Sequence, residues 1–410
     1  MEDGINKSSD FQCYIGDKKN KDLEKIGHRI KNYLELDNVC ILAGAGTSFH
    51  IGAPIIRSIP KEMHDNLENN KNLNDLYNSK IKEFKKNYND ISLEEFIDYI
   101  QAERFIMKIK GNDVKEHNDL INLIQEQLFN LCNTQYTSIN EEYKTDLNLK
   151  ENKYFYHEKF IKKLLQRPVN LKRPNLFTTN YDLAFEYAFD NAGIHSINGF
   201  SGFQNRSFHP ETYDYDLYYP GQTTSGKVHR AEKVIRYYKL HGSLSWVFSE
   251  PNIKNLYGIE EIHIGEEKPQ NELVIYPCAT KKTFTLDLPY SELFRLFSSV
   301  IKQNQSVLFC IGYSFNDEHI NDIIYQALSI PSFTLFIIDY KSTENIEIKK
   351  LKSFDDPRII IIEGECAKFT KFVSEVMPDL YEEKDEIKVA KTINELFGSK
   401  LTNIKESSDV

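Results

Sequence analysis

The sequence lacks several things, and each absence excludes a class of protein. Its six cysteines, at 13, 40, 132, 278, 310 and 366, form no CxxC pair, so neither a zinc ribbon nor a disulfide framework can be read from their spacing. Cys40 and Cys310 lie inside apolar runs, where a buried, reduced thiol is expected. No apolar run approaches the roughly 18 residues that a spanning helix needs. The start, MEDGINKSSD, has neither the basic nor the apolar region of a secretion signal. A cytoplasmic protein is the expectation. Positive charge is also in deficit, with 51 Lys and Arg against 61 Asp and Glu and a net charge of −10. That balance argues against a protein whose main work is neutralising nucleic-acid phosphates.

What is present is ordinary globular composition, with 40% hydrophobic and 27% charged residues over 410 positions. This length predicts one large α/β domain with an insertion, or two domains. Residues 1–20 read as a polar tail. From Lys21, Leu23, Ile26, Ile30 and Leu34 recur at helical spacing, and NVCILA (38–43) then reads as a buried strand. From about 60 to 170 the chain is rich in Asn, Lys and Glu, with amphipathic patterns such as Leu120, Ile121, Ile124, Leu128 and Leu131. Ser92-Leu93-Glu94-Glu95 is a capping box. This region is expected to be a helical insertion.

Strand signals return as NLFTTN (175–180), VIRYYKL (234–240), ELVIYP (272–277), VLFCIG (307–312), FTLFIID (333–339) and RIIIIEG (358–364). Runs this continuously apolar suit parallel strands covered on both faces. Helical patterns alternate with them, as in LAFEYAFDNAG (183–193). The expected fold is a Rossmann-like, doubly wound parallel sheet with a helical insertion. Residues 201–230 read as an irregular, aromatic excursion. The stretch 381–410 reads as an amphipathic helix (Val389, Ile393, Leu396, Phe397) with a polar tail.

Four of the strand ends are polar. Gly44-Ala45-Gly46-Thr47-Ser48 follows the first strand, as either a phosphate-approaching turn opening a helix or a plain tight turn; Phe49 stands where a third glycine is expected. Thr178-Thr179-Asn180-Tyr181-Asp182 exceeds what a helix cap needs, although Asp182 alone would serve as one. Lys239-Leu240-His241-Gly242-Ser243 presents an imidazole on a turn, suited to proton transfer or to a structural role; His209 and His229 are weaker candidates. Gly312-Tyr313-Ser314-Phe315-Asn316-Asp317 places Gly312 and Ser314 at the next strand end, with Asp317 as the N-cap of a helix. Consecutive residues on a helix diverge, so Asp317, Glu318 and His319 do not read as a metal site.

The order GAGTS, TTNYD, LHGS and GYSFND resembles the sirtuin-like domains of bacterial anti-phage defence proteins, over roughly residues 36–365. The resemblance implies an NAD-binding Rossmann-like fold. In it Gly44, Ala45, Gly46 and Ser48 contact NAD near its phosphates, with Arg57 and Thr179 in the same binding set, and Gly312 and Ser314 lie by the adenosine half. Asn180 and His241 match the family's catalytic pair, and Asp182 the acid that contacts the nicotinamide carboxamide. Deacetylating sirtuins carry two CxxC pairs and a Gly-Ile-Pro-Asp-Phe-Arg segment. Here the pairs are missing, and the segment reads Gly52-Ala53-Pro54-Ile55-Ile56-Arg57. The expectation is therefore an NAD hydrolase that consumes NAD as substrate without a metal, acting in abortive anti-phage defence. The resemblance also implies a homo-oligomer with a HerA-like ATPase partner, and no membrane or direct nucleic-acid contact. A non-catalytic NAD or ADP-ribose sensing module and an NAD-dependent deacylase are the alternatives.

Overall fold

The computed structural model describes residues 12–56, 58–221, 228–269, 273–275 and 289–380. The expectations for Arg57 and for the helix at 381–410 lie outside the described residues. The main sheet contains nine strands. All the described strands, in chain order, begin with β1 (Gln12–Ile15), β2 (Lys18–Asn20), β3 (Asn38–Ala43), β4 (Asn175–Thr178) and β5 (His195–Ile197). Further along come β6 (Phe200–Ser201), β7 (Arg206–Phe208), β8 (Tyr218–Pro220), β9 (Val228–Arg230), β10 (Val234–Lys239), β11 (Gly242–Phe248), β12 (Ile259–Glu261) and β13 (Leu273–Ile275). The last three are β14 (Ser306–Ile311), β15 (Thr334–Asp339) and β16 (Ile359–Glu363).

The order across the main sheet is β2-β1-β16-β15-β14-β3-β4-β10-β5. From β16 to β5 every pairing is parallel, while β1 pairs antiparallel with both β16 and β2. The Rossmann-like expectation is met. The chain leaves β3 towards β4 and β10, then returns to β14 on the other side of β3. Strand order thus reverses at the β14–β3 seam, which is where sheets of this kind open a crevice for ligands. β3, β14 and β16 are buried at every position. Alternate residues of each strand feed the two faces: Val39, Ile41 and Phe309 face one core, and Cys40, Leu42 and Leu308 face the other.

On the first face lie α1 (Leu23–Leu34), α7 (Phe155–Leu164) and α8 (Ala184–Ala192). On the second lie α9 (Tyr290–Ile301), α10 (Glu318–Leu328) and α11 (Ile346–Ser353). Between β3 and α7 the chain forms α2 (Lys61–Glu68), α3 (Asn74–Glu83), α4 (Leu93–Ile109), α5 (Lys115–Cys132) and the short α6 (Leu147–Glu151). Helices α2 to α5 enclose a core of their own around Met63, Tyr77, Phe96 and Leu120. Helix α7 lies inside the expected insertion range, yet packs Phe160 and Ile161 into the main core as a crossover helix of the sheet.

Three sequence expectations are corrected here. Residues 12–20, read as part of a polar tail, form the β1–β2 hairpin at one sheet edge, where Cys13 is fully buried and Gly16 turns the chain at φ +61°. Within ELVIYP, the described Leu273–Ile275 joins a second, antiparallel sheet of order β13-β11-β12-β7-β6, outside the parallel one. The 201–230 excursion also holds short strands, with β6 and β7 in that second sheet and β8 paired to β9.

Candidate active site

The register of the central strands decides where the four polar motifs fall. Ile311 pairs with Ala43, Ala43 with Thr178, and Thr178 with Lys239. The next residue of each strand therefore stands in one row: Gly312, Gly44, Thr179 and Leu240. The ladder runs one step further through Gly44 N to Ile311 O (2.9 Å), Thr179 N to Ala43 O (3.1 Å) and Leu240 N to Thr178 O (2.8 Å). Above this row opens a cleft of about 1220 Å³. Its lining includes Gly44, Ala45, Gly46, Thr179, Asn180, Asp182, His241, Gly312 and Ser314. Ser48 lies behind the lining, fully buried, and meets it through Asn180.

The glycines at the seam are required by packing. A Cβ on Gly44 would lie 2.5 Å from the Gly312 carbonyl oxygen, and one on Gly46 would lie 2.7 Å from the Gly312 Cα. Gly46 N donates to Gly312 O at 3.0 Å, and Gly312 itself holds φ +59°. Two loops thus touch through bare backbone, as only glycine permits. The sequence left open whether a helix or a plain tight turn follows Gly46. Two 3₁₀ turns, Ala45–Thr47 and Phe49–Ile51, stand there instead, so no helix N-terminus points at the cleft from this loop. The Thr47 hydroxyl donates back to Gly44 O at 2.8 Å and closes the first turn.

Asn180 is held by its own strand end and by the loop after β3. Its backbone N–H donates to the Thr178 hydroxyl at 3.0 Å, and its side-chain amide donates to Thr47 Oγ1 (3.2 Å) and Ser48 Oγ (3.3 Å). The Thr178 hydroxyl in turn donates to Ala43 O at 3.0 Å. Asp182 accepts from Ala184 N at 3.0 Å, so it does serve the start of α8 as well as lining the cleft. Burial pushes its carboxyl above the usual carboxylate range, against the opposing pull of the Lys239 charge, the Ala184 N–H and the Ser48 hydroxyl. Lys239 is itself buried, donating to the carbonyls of Tyr181 (3.2 Å) and Asp182 (2.5 Å) and to the Glu186 carboxylate (2.9 Å).

His241 lies between the two sheets, in the two-residue joint where β10 ends and β11 begins. Gly242, at φ +88°, turns the chain there. Its Nε2 lies 2.8 Å from Asp317 Oδ2. Asp317 caps α10, as its sequence position suggested, by accepting from His319 N (3.1 Å) and Ile320 N (3.4 Å). The loop between β14 and α10 is pinned from below: Asn321 donates to Phe315 O at 2.7 Å, and the Asn345 amide donates to Ser314 O. Phe315 takes φ +54°, a conformation that a bulky side chain adopts only under such constraint.

Sequence reasoning overlooked several residues of the cleft. Asp339, at the end of β15, was open to the same strand-end argument. His50, Glu142 and Lys368 come from turns and helices whose convergence no local pattern announces. Among the described residues, no three His, Cys, Asp or Glu side chains gather as a metal site would need. Among them, too, no helix is long and apolar enough to cross a membrane.

The geometry has a counterpart among known families. The family model of the SIR2-like domain matches residues 174–356. This SIR2-like stretch contains Asn180, Asp182, His241, Gly312 and Ser314, while the Gly44–Ser48 loop precedes it. No curated protein matches the sequence. Similar solved structures include a Sir2 homologue in complex with NAD, 12% identical, with TM-score 0.40, covering 84% of this chain and 91% of that one. A serine-to-alanine variant of a Sir2 homologue with ADP-ribose is 13% identical, with TM-score 0.39, covering 86% and 95%. A histidine-to-asparagine variant with ADP-ribose is 12% identical, with TM-score 0.37, covering 85% and 94%.

Proposed function

We infer that the chain is an NAD glycohydrolase, cleaving the bond between nicotinamide and ribose, and that it serves anti-phage defence by depleting NAD. The observation that carries this reading is the row of strand ends at the seam. It gathers an amide (Asn180), a carboxyl (Asp182) and an imidazole (His241) around one cleft floored by glycine backbone, within a SIR2-like stretch. NAD's pyrophosphate would lie against the Gly44–Ser48 loop and its adenosine half beside Gly312 and Ser314. The nicotinamide of NAD already carries positive charge and leaves neutral, so no strong general acid is needed. The transition state is oxocarbenium-like, as in glycoside hydrolysis. In this reading Asp182 orients the carboxamide. Asn180, locked by Thr47 and Ser48, places the water or a ribose hydroxyl, and His241 takes the proton.

Activity of this kind would empty the host's own NAD pool, so the reading includes gating by assembly, with a HerA-like ATPase as partner. The test is incubation with NAD, alone and with the neighbouring gene product. Nicotinamide release without any acyl-lysine peptide is expected, falling by about 10²–10⁴-fold in His241→Ala. An unchanged rate in that variant would remove His241 from the chemistry. Release only with an acylated peptide would make the protein a deacylase, and NAD binding without turnover would make it a sensing module.

A further inference from the structure

The geometry points to Asp317 as the positioning residue of His241, so that the site works through a carboxylate–imidazole couple assembled across the seam. The inference rests on the reading of His241 as the group that accepts the proton. His241 comes from the β10 side of the sheet and Asp317 from the loop after β14, yet Nε2 and Oδ2 are 2.8 Å apart. Both side chains line the cleft, and they are 10% and 3% exposed. At that burial a charge–imidazole contact is weakly screened by solvent.

The two oxygens of Asp317 have separate duties. Oδ1 accepts the first N–H groups of α10, which anchors the carboxyl to a rigid element, and Oδ2 lies against the imidazole. The oxygen sits off the direction of the ring N–H, so the contact is one of charge and proximity rather than an aligned hydrogen bond. Contacts of this kind align as substrate closes a site. Two consequences follow. The carboxylate favours the tautomer whose proton faces it, which leaves the opposite ring nitrogen as the acceptor. It also offsets the charge that appears on the ring when the proton arrives. The proton leaves the attacking water or ribose hydroxyl, bonds to the free ring nitrogen, and returns to solvent after turnover. No proton passes to Asp317 in this scheme.

Asp317→Asn and Asp317→Ser separate this role from capping, because Asn and Ser are N-caps of rank similar to Asp. Both variants should keep the wild-type melting temperature. For NAD hydrolysis kcat should fall at least about tenfold while KM changes less than about threefold, as expected for a group felt mainly in the transition state. The ¹⁵N shifts of the His241 ring nitrogens, identified by their loss in His241→Ala, should move from a single-tautomer pattern towards a mixed one. Unchanged kcat with unchanged ring shifts would overturn the inference. So would a loss of kcat that tracks a fallen melting temperature with the ring shifts unmoved. If the wild type does not hydrolyse NAD, the hydrolase reading fails, while the ring shifts still report whether Asp317 holds His241.

Discussion

At the residue scale, Gly312 combines two constraints of the site. Its backbone lies at φ +59°, and a Cβ there would meet the Gly46 Cα at 2.7 Å. Substitution Gly312→Ala combines an unfavourable left-handed backbone, costing about 1–2 kcal/mol, with a clash against backbone that has no flexible tip to yield. A fall of at least about 2 kcal/mol in unfolding free energy is expected, measured by urea titration, together with weakened NAD binding. A stability within 0.5 kcal/mol of wild type, about the scatter of neutral surface changes, would show that the two loops can part. The polar residues of this row were legible in the sequence because the strands ahead of them are largely apolar runs, which mark where each motif begins. What they touch was not legible. Nothing near Asp317 in sequence indicates that its second oxygen reaches an imidazole 76 positions earlier (317 less 241).

At the scale of elements, the turn Phe49–Ile51 and helix α7 meet through a pair of buried histidines. His50 stacks on His157 with ring centroids 5.2 Å apart, and Tyr156 and Phe369 pack against the same ring. All four of their ring nitrogens lack a hydrogen-bond partner among the described residues. Burial pushes His50 down to about 3, with Lys153 adding to the effect and Asp146 opposing it. His157 is pushed well below its usual value by burial and then by His50. Both are neutral in the native state at neutral pH. Below about pH 6.5 the unfolded chain takes up protons that the native state refuses, so stability falls as pH falls, by roughly 1.4 kcal/mol per pH unit for each ring. Replacing His157 by Phe should therefore flatten the decline in urea midpoint between pH 6.5 and 5 relative to wild type. Parallel declines would contradict the argument. This junction was invisible to sequence patterns because it is formed by packing between distant elements. Six of the seven parallel strands were the most legible elements, since burial on both faces favours apolar side chains; β5 (His195–Ile197), a partly exposed edge strand, was not read. The β1–β2 hairpin was misread for the converse reason: an edge needs few apolar residues and carries Lys18, Lys19 and Asn20. Leu273–Ile275 shows a further limit, since an apolar run signals a buried strand without naming its sheet.

For the whole molecule, the doubly wound fold class was legible because alternating strand and helix signals leave few architectures; the strand order, and with it the position of the seam, comes from the structure. The proposed gating was not recoverable, because it would depend on contacts with other chains. Under the proposed activity the working form is an assembly, and light scattering after size exclusion should give a mass several times the 47.9 kDa of one chain; a strict monomer at assay concentration, with full activity, would refute assembly gating. The joint at Leu240–His241 divides the site between two sheets. Asn180 is tied to the main sheet through Thr178 and Ala43, while His241 stands at the entry to β11, second of the five strands in the other sheet. The two groups assigned to the chemistry are thus rooted in different sheets, and the glycine floor belongs to only one of them.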